Sequence, residues 1–204
     1  MRHVPAHLLD GLDLAAFGAV KPAAADSKHK VDFADYNARL WRAWKQIKKL
    51  DLDEAQPLDI LDIGLGAGYF VYACKRYGHR AVGLDRPGFP IWHGLRRWLD
   101  VQVTDHTVQP LQHLPALGRF DLVTSFKCPF NYVDDESRFW TLDEWSFFLN
   151  DLRDNLLKPN GRVALEIRKG RGKENQIHDE AFTQFCAGRG AAMKKGVMIF
   201  DPLL

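Results

Sequence analysis

The sequence predicts an α/β fold: three layers, αβα, around a mostly parallel sheet of six or seven strands. Three observations carry this expectation. From residue 58 onward, short strand-like apolar runs alternate with amphipathic helical stretches, the pattern of βαβ units. The run Phe120–Phe126 is largely apolar, as a central parallel strand covered on both faces is. A glycine-rich turn joins the first strand of this series to its first helix. Parallel sheets bind ligands just beyond the carboxyl ends of their strands.

The bulk numbers set bounds. A chain of 204 residues, 46% hydrophobic, folds as one domain of ordinary size with a real core. We divide it at about residue 50, with 1–50 as an N-terminal helical arm or lid and 51–204 as the main domain. A net charge of +2 is too small to imply nucleic acid as a partner by itself. Cys74, Cys128 and Cys186 are far apart and form no Cys-x-x-Cys pair. A zinc site or a disulfide framework is therefore not expected, and a reducing, cytoplasmic setting is. Asp10 and Asp13 spoil Leu8–Val20 as a signal-peptide core, and no apolar run has the length of a membrane span.

The elements follow in order. Lys21–Ala25, with its proline, reads as a loop. Tyr36, Leu40, Trp44 and Ile47 fall on one helical face, with Asp35 as N-cap. Leu58–Ile63 is a strand ending in glycines, and Tyr69–Tyr77 a helix stopped by Gly78. Arg80–Leu84 is a second strand, ending at Asp85. A helix through Ile91, Leu95, Trp98 and Leu99 follows, then a brief strand at Val101–Val103. After the strand Phe120–Phe126, Thr141 and Glu144 form a capping box, with Trp140 and Trp145 placed as a hydrophobic staple. That helix stops at Lys158-Pro159-Asn160-Gly161. Arg162–Ile167 is a strand, Asp179–Ala187 a helix and Val197–Phe200 a strand. Gly196 allows a tight turn from Ala192–Lys194 into Val197–Phe200, which would complete seven strands; otherwise the sheet has six.

The glycine turn reads Asp62-Ile63-Gly64-Leu65-Gly66-Ala67-Gly68. Glycines let backbone turn tightly and approach a ligand closely, and the helix that follows offers unpaired N–H groups. A dinucleotide-binding loop wants Gly-x-Gly-x-x-Gly, but its third glycine position holds Tyr69 here. That weighs against a nicotinamide-dependent oxidoreductase. An acidic residue followed by Gly-x-Gly-x-Gly resembles motif I of class I, Rossmann-like methyltransferases. Ala81–Asp85 resembles that family's second strand with its terminal acid, and Phe120–Ser125 its fourth strand. Leu156–Arg162 resembles the turn before its fifth, with Asn160 at the first glycine position. The resemblance spans residues 58 to about 168.

What the resemblance implies is a site for S-adenosyl-L-methionine. Asp62 faces the amino group of the cofactor, and Gly64, Gly66 and Gly68 pass close to its amino acid end and ribose. Tyr69 opens the helix beneath it. Asp85 takes both ribose hydroxyls, a task suited to a two-oxygen acceptor. Asp105 and His106 lie where the family places adenine contacts, and Phe126 lines the pocket. The alternative for each is ordinary: a strand-to-helix turn, solvated loop acids, a core phenylalanine.

In this fold the methyl acceptor enters through the loops after the fourth and fifth strands. The loop after the fourth reads Cys128-Pro129-Phe130-Asn131. It lacks the leading Asn or Asp and the second proline of amino-methylating enzymes that act on nucleic-acid bases. Asn131, Tyr132, Asp134 and Asp135 are candidates to orient or deprotonate an acceptor. Cys128 is a candidate nucleophile, and His93, His106 and His178 are candidate bases. Arg168–Lys173 forms a basic loop suited to a phosphate, a carboxylate or RNA.

The expected protein is thus a methyltransferase acting on a small molecule, with no metal and no membrane partner. The alternatives are an RNA or protein methyltransferase engaging its acceptor through 168–173, and a non-catalytic S-adenosylmethionine-binding partner subunit.

Overall fold

The structure, a computed structural model, describes residues 3–25, 35–87, 90–133, 138–167, 176 and 179–204. Seven strands form one sheet in the order β3-β2-β1-β4-β7-β9-β8. They are β1 (Asp59–Ile63), β2 (Arg80–Asp85), β3 (Val103–Asp105), β4 (Phe120–Phe126), β7 (Leu157–Glu166), β8 (Ala191–Lys194) and β9 (Val197–Phe200). The first five are parallel, and β9 runs antiparallel to both β7 and β8. The tight turn is present: Lys195 and Gly196 both have positive φ, at 52° and 79°. This is the turn geometry that keeps the twist of a hairpin. The sheet therefore has seven strands rather than six, with a hairpin at its end.

Helices cover both faces. Four of them, α1 (Leu14–Ala25), α2 (Tyr36–Lys49), α3 (Tyr69–Arg76) and α4 (Pro90–Trp98), pack on one. The other face carries α5 (Leu142–Asp151) and α6 (Glu180–Gly188). Alternation along β1 divides the core: Ile60 belongs to the first cluster, Leu61 and Ile63 to the second. This is the three-layer αβα, Rossmann-like arrangement.

Local signals explain most boundaries. Asp35 caps α2 by accepting from the amide of Ala38 at 2.9 Å. The capping box at Thr141 and Glu144 is present, and the rings of Trp140 and Trp145 meet edge to face at 5.3 Å. A π-helical turn, Leu152–Leu156, leads from α5 into β7. Asn160, at φ 63°, turns the chain within a bulge of that strand.

Three expectations need correction. Lys21–Ala25 is not a loop but the last part of α1, whose sequence is rich in alanine, the residue of highest helix propensity. The third strand lies at Val103–Asp105, two residues later than expected. Val101 is used to close α4, its amide bonding the carbonyl of Arg96 at 3.0 Å. A small antiparallel pair, β5 (Tyr132–Val133) and β6 (Arg138–Phe139), stands where only a loop is expected. Among the described residues, no helix is long and apolar enough to cross a membrane.

Candidate functional site

The strand order reverses between β1 and β4, and the crevice beyond their carboxyl ends is where such sheets hold ligands. Register sets what lies there. Asp62 pairs across to Gly83 and to Thr124, and Asp85 pairs across to Asp105.

Asp62 is buried, and the hydroxyl of Thr124 donates to its Oδ1 at 2.7 Å. Burial pushes its carboxyl up to about 7; the Thr124 bond works against this and the charge of Asp85 adds to it.

The glycine turn then folds over this edge. Gly64, Gly66 and Gly68 all have positive φ, at 76°, 57° and 89°, a region that costs other residues free energy. The amide of Gly64 continues the sheet by donating to the carbonyl of Leu84 at 2.6 Å. The amide of Gly66 donates to Asp85 Oδ2 at 2.8 Å. Gly68 caps α3, whose first residue, Tyr69, is buried; desolvation raises its phenol well above the usual range.

Asp85 is the most heavily bonded group here. Its Oδ1 accepts from the amide of Arg86 at 2.8 Å, and its Oδ2 accepts from Gly66 and from Arg96 Nη2, the latter at 2.7 Å. Burial raises this carboxyl, while the Arg96 charge and the two amides pull it down. A carboxylate has about four acceptor positions, and three are filled. Among the described residues one position, on Oδ1, then remains, where the expected contact to two sugar hydroxyls calls for two.

At the end of β3, Asp105 is exposed, and the amide of His106 bonds the carbonyl of Asp85 at 2.8 Å. The Nε2 of His106 is shielded from solvent and has no hydrogen-bond partner among the described residues. Phe126, at the end of β4, meets Phe70 of α3 edge to face at 4.8 Å. The structure thus gathers Asp62, Gly64, Gly66, Gly68, Tyr69, Asp85, Asp105, His106 and Phe126 along one edge.

The loop after β4 behaves differently. The Cys128 side chain lies against Gly64: a Cβ on that glycine would stand 2.3 Å from the sulfur. Burial, then the charge of Asp85, pushes the thiol up to about 12. A raised thiol holds less of the reactive thiolate, which weighs against Cys128 as a nucleophile. Asn131 is buried and its Nδ2 donates to Gln176 Oε1 at 3.0 Å, which ties it to the fold rather than to an open acceptor site. Tyr132 sits in β5 with its ring 5.4 Å from that of Phe139. His93 is exposed on α4. Asp134, Asp135, His178 and the basic run 168–173 lie outside the described residues.

Two residues escape a reading by motif. Arg96 is buried, with Nε donating to the carbonyl of Gly66 at 2.8 Å besides its bond to Asp85. A signal existed: Trp92, Leu95, Arg96 and Leu99 share one helical face, which puts a cation at a core position. Gln176 is buried and accepts from both Asn131 and Trp145; nothing in its neighbourhood of sequence marks it.

A cavity of about 600 Å³ lies at the opposite end of the sheet, by Arg119, Lys158 and Asn160. Its cations are engaged, Lys158 with Asp59 and Asp121, and Arg119 with two carbonyls. The edge at the glycine turn, where the buried acids converge, is the better candidate.

Sheet order and the helices on both faces define a three-layer αβα, Rossmann-like fold, with a glycine turn and two buried acids at its ligand-binding edge. No family model and no curated protein matches the sequence. Among solved structures the chain is similar in fold to the glycopeptide N-methyltransferase MtfA, at TM-score 0.44 and 13% identity over 62% of this chain. It is also similar to the ribosomal protein L11 methylase from Lactobacillus delbrueckii subsp. bulgaricus, at TM-score 0.47 and 15% identity over 76% of this chain and 75% of that one. A TehB-like SAM-dependent methyltransferase from Corynebacterium glutamicum gives 0.47 and 17%, over 78% of this chain and 94% of that one. The chain spans 52% of the length of MtfA. These likenesses concern the fold alone.

Proposed function

We propose that the protein is a methyltransferase that uses S-adenosyl-L-methionine and passes its methyl group to a small molecule by in-line displacement. The observation that carries the reading is the bond from the Gly66 amide to Asp85 Oδ2. It joins the turn of the motif to the acid of the second strand in one edge of the sheet. The residues fit such a cofactor in three further respects. Asp62 offers a carboxylate to an ammonium group, which would favour its ionised form. Asp85 keeps an acceptor position for a ribose hydroxyl. The Nε2 of His106, without a partner among the described residues, suits a polar edge of adenine.

When bound, the cofactor supplies a methyl group already activated on a sulfonium. The task of the chain is then to position the acceptor and exclude water, and holding two reactants in line can account for much of the rate. Tyr132 is the residue we assign to the acceptor side; Asn131 supports the loop that carries it.

The test is incubation with methyl-labelled S-adenosylmethionine and, separately, small-molecule extracts, RNA and total protein. Each arm is repeated with Asp85→Ala. Label entering only the small-molecule fraction, and lost in the variant, is the expected result. Label in RNA or protein overturns the acceptor assignment. Cofactor binding without transfer to any fraction makes the protein a non-catalytic binder.

A further inference from the structure

The Asp85 carboxylate and the glycine turn are linked twice, and Arg96 makes the second link. Gly66 gives its N–H to Asp85 Oδ2 and its carbonyl to Arg96 Nε, while Arg96 Nη2 returns to the same Oδ2. The three groups form a closed ring of hydrogen bonds. Arginine suits this place because its planar fork presents two donors at a fixed angle; a lysine carries one point charge on a flexible stem. Arg96 and Asp85 are 4% and 6% exposed, so solvent does not compete for these bonds. The guanidinium also lies over the ring of Trp92, at 5.4 Å from its centre, which helps fix its plane.

The ring has a consequence for ligand recognition. With Oδ2 filled from two sides and Oδ1 holding the amide of Arg86, the described residues leave a vicinal diol one acceptor position where it needs two. Resting on the cofactor reading above, we propose that Arg96 is the positioning residue of the ribose subsite. By tying Gly66 to Asp85 it makes the subsite read one ribose hydroxyl rather than the pair. Without Arg96 a position on Oδ2 opens, and the carboxylate can rotate to meet both hydroxyls.

Calorimetric titration of S-adenosylhomocysteine and of its 2′-deoxy and 3′-deoxy analogues tests this in wild type, Arg96→Met and Arg96→Lys. In wild type, one analogue should bind about tenfold or more weakly than the parent and the other within about threefold. In Arg96→Met the difference between the analogues should shrink to about threefold or less. Arg96→Lys keeps the charge without the fork and should behave as Arg96→Met; it carries the test if the methionine variant does not fold. A role in stability alone would weaken all three ligands by one factor and keep the difference between analogues. That result overturns the proposal, as does an equal loss for both analogues in wild type. If wild type fails to bind the parent ligand, the cofactor reading itself falls, and this is evident before any variant is made.

Discussion

Arg96 Nη2 meets Asp85 Oδ2 at 2.7 Å with both side chains buried. Truncating one member of such a pair leaves an uncompensated charge in the interior, at a cost of about 3–5 kcal/mol. We expect Arg96→Met to lose stability in this range by urea unfolding. The double variant Asp85→Asn with Arg96→Met should lose clearly less, since no lone charge remains. Equal losses for the two would mean that the pair is not electrostatically coupled.

Asp62 carries a pH signature. Its carboxyl moves from 3.8 to about 7 on folding, chiefly through burial. Between these values the folded chain holds a proton that the unfolded chain has released, so stability falls as pH rises through the window and is flat outside it. Asp62→Asn removes this dependence while keeping an oxygen for Thr124. Relative to wild type, the variant should gain about 2–4 kcal/mol between pH 4 and 8. Unfolding midpoints at pH 4, 6 and 8 check this; parallel curves for the two proteins would contradict it.

Gly64 has no room for a side chain. Its φ is 76°, and a Cβ there would lie 2.3 Å from the sulfur and 2.5 Å from the Cβ of Cys128. Gly64→Ala should cost about 2–4 kcal/mol from strain and overpacking combined. Adding Cys128→Ala should recover only part of this, because the Cβ contact persists. Thermal unfolding of the single and double variants gives the comparison.

Cys128 should be slow to alkylate. A thiol moved from 9.0 to about 12 has roughly a thousandth of the usual thiolate at pH 8. Native protein treated with iodoacetamide should modify Cys128 at least about 100-fold more slowly than urea-unfolded protein, as peptide mass spectrometry would read. Comparable rates would favour the nucleophile reading of Cys128.

Much of the fold was legible because its signals are local. Asp35, the Thr141 and Glu144 box, Gly78 and the Lys195-Gly196 turn act within a few residues of themselves; the helices they bound were expected, and the final hairpin was one of two alternatives. The strand at Val103–Asp105 was misplaced because its start depends on how α4 ends against Val101, which is a matter of packing. The two buried acids of the candidate site, Asp62 and Asp85, stand where strand positions in the sequence direct attention. Their partners could not: Gly66 and Arg96 lie 19 and 11 residues from Asp85, and the three meet only in the folded chain. Gln176 is harder still, lying 45 residues from Asn131. The β5–β6 pair has too few residues for an alternation to show.

The central claim is that the edge formed by Asp62, Gly66 and Asp85 binds S-adenosylmethionine. The most direct measurement is titration calorimetry of S-adenosylhomocysteine, with NAD as control, into wild type and Asp85→Ala. The account predicts saturable binding by wild type, a loss of about tenfold or more in the variant (about 1.4 kcal/mol), and no binding of NAD. Absence of binding by wild type, or equal affinity in the variant, would contradict it.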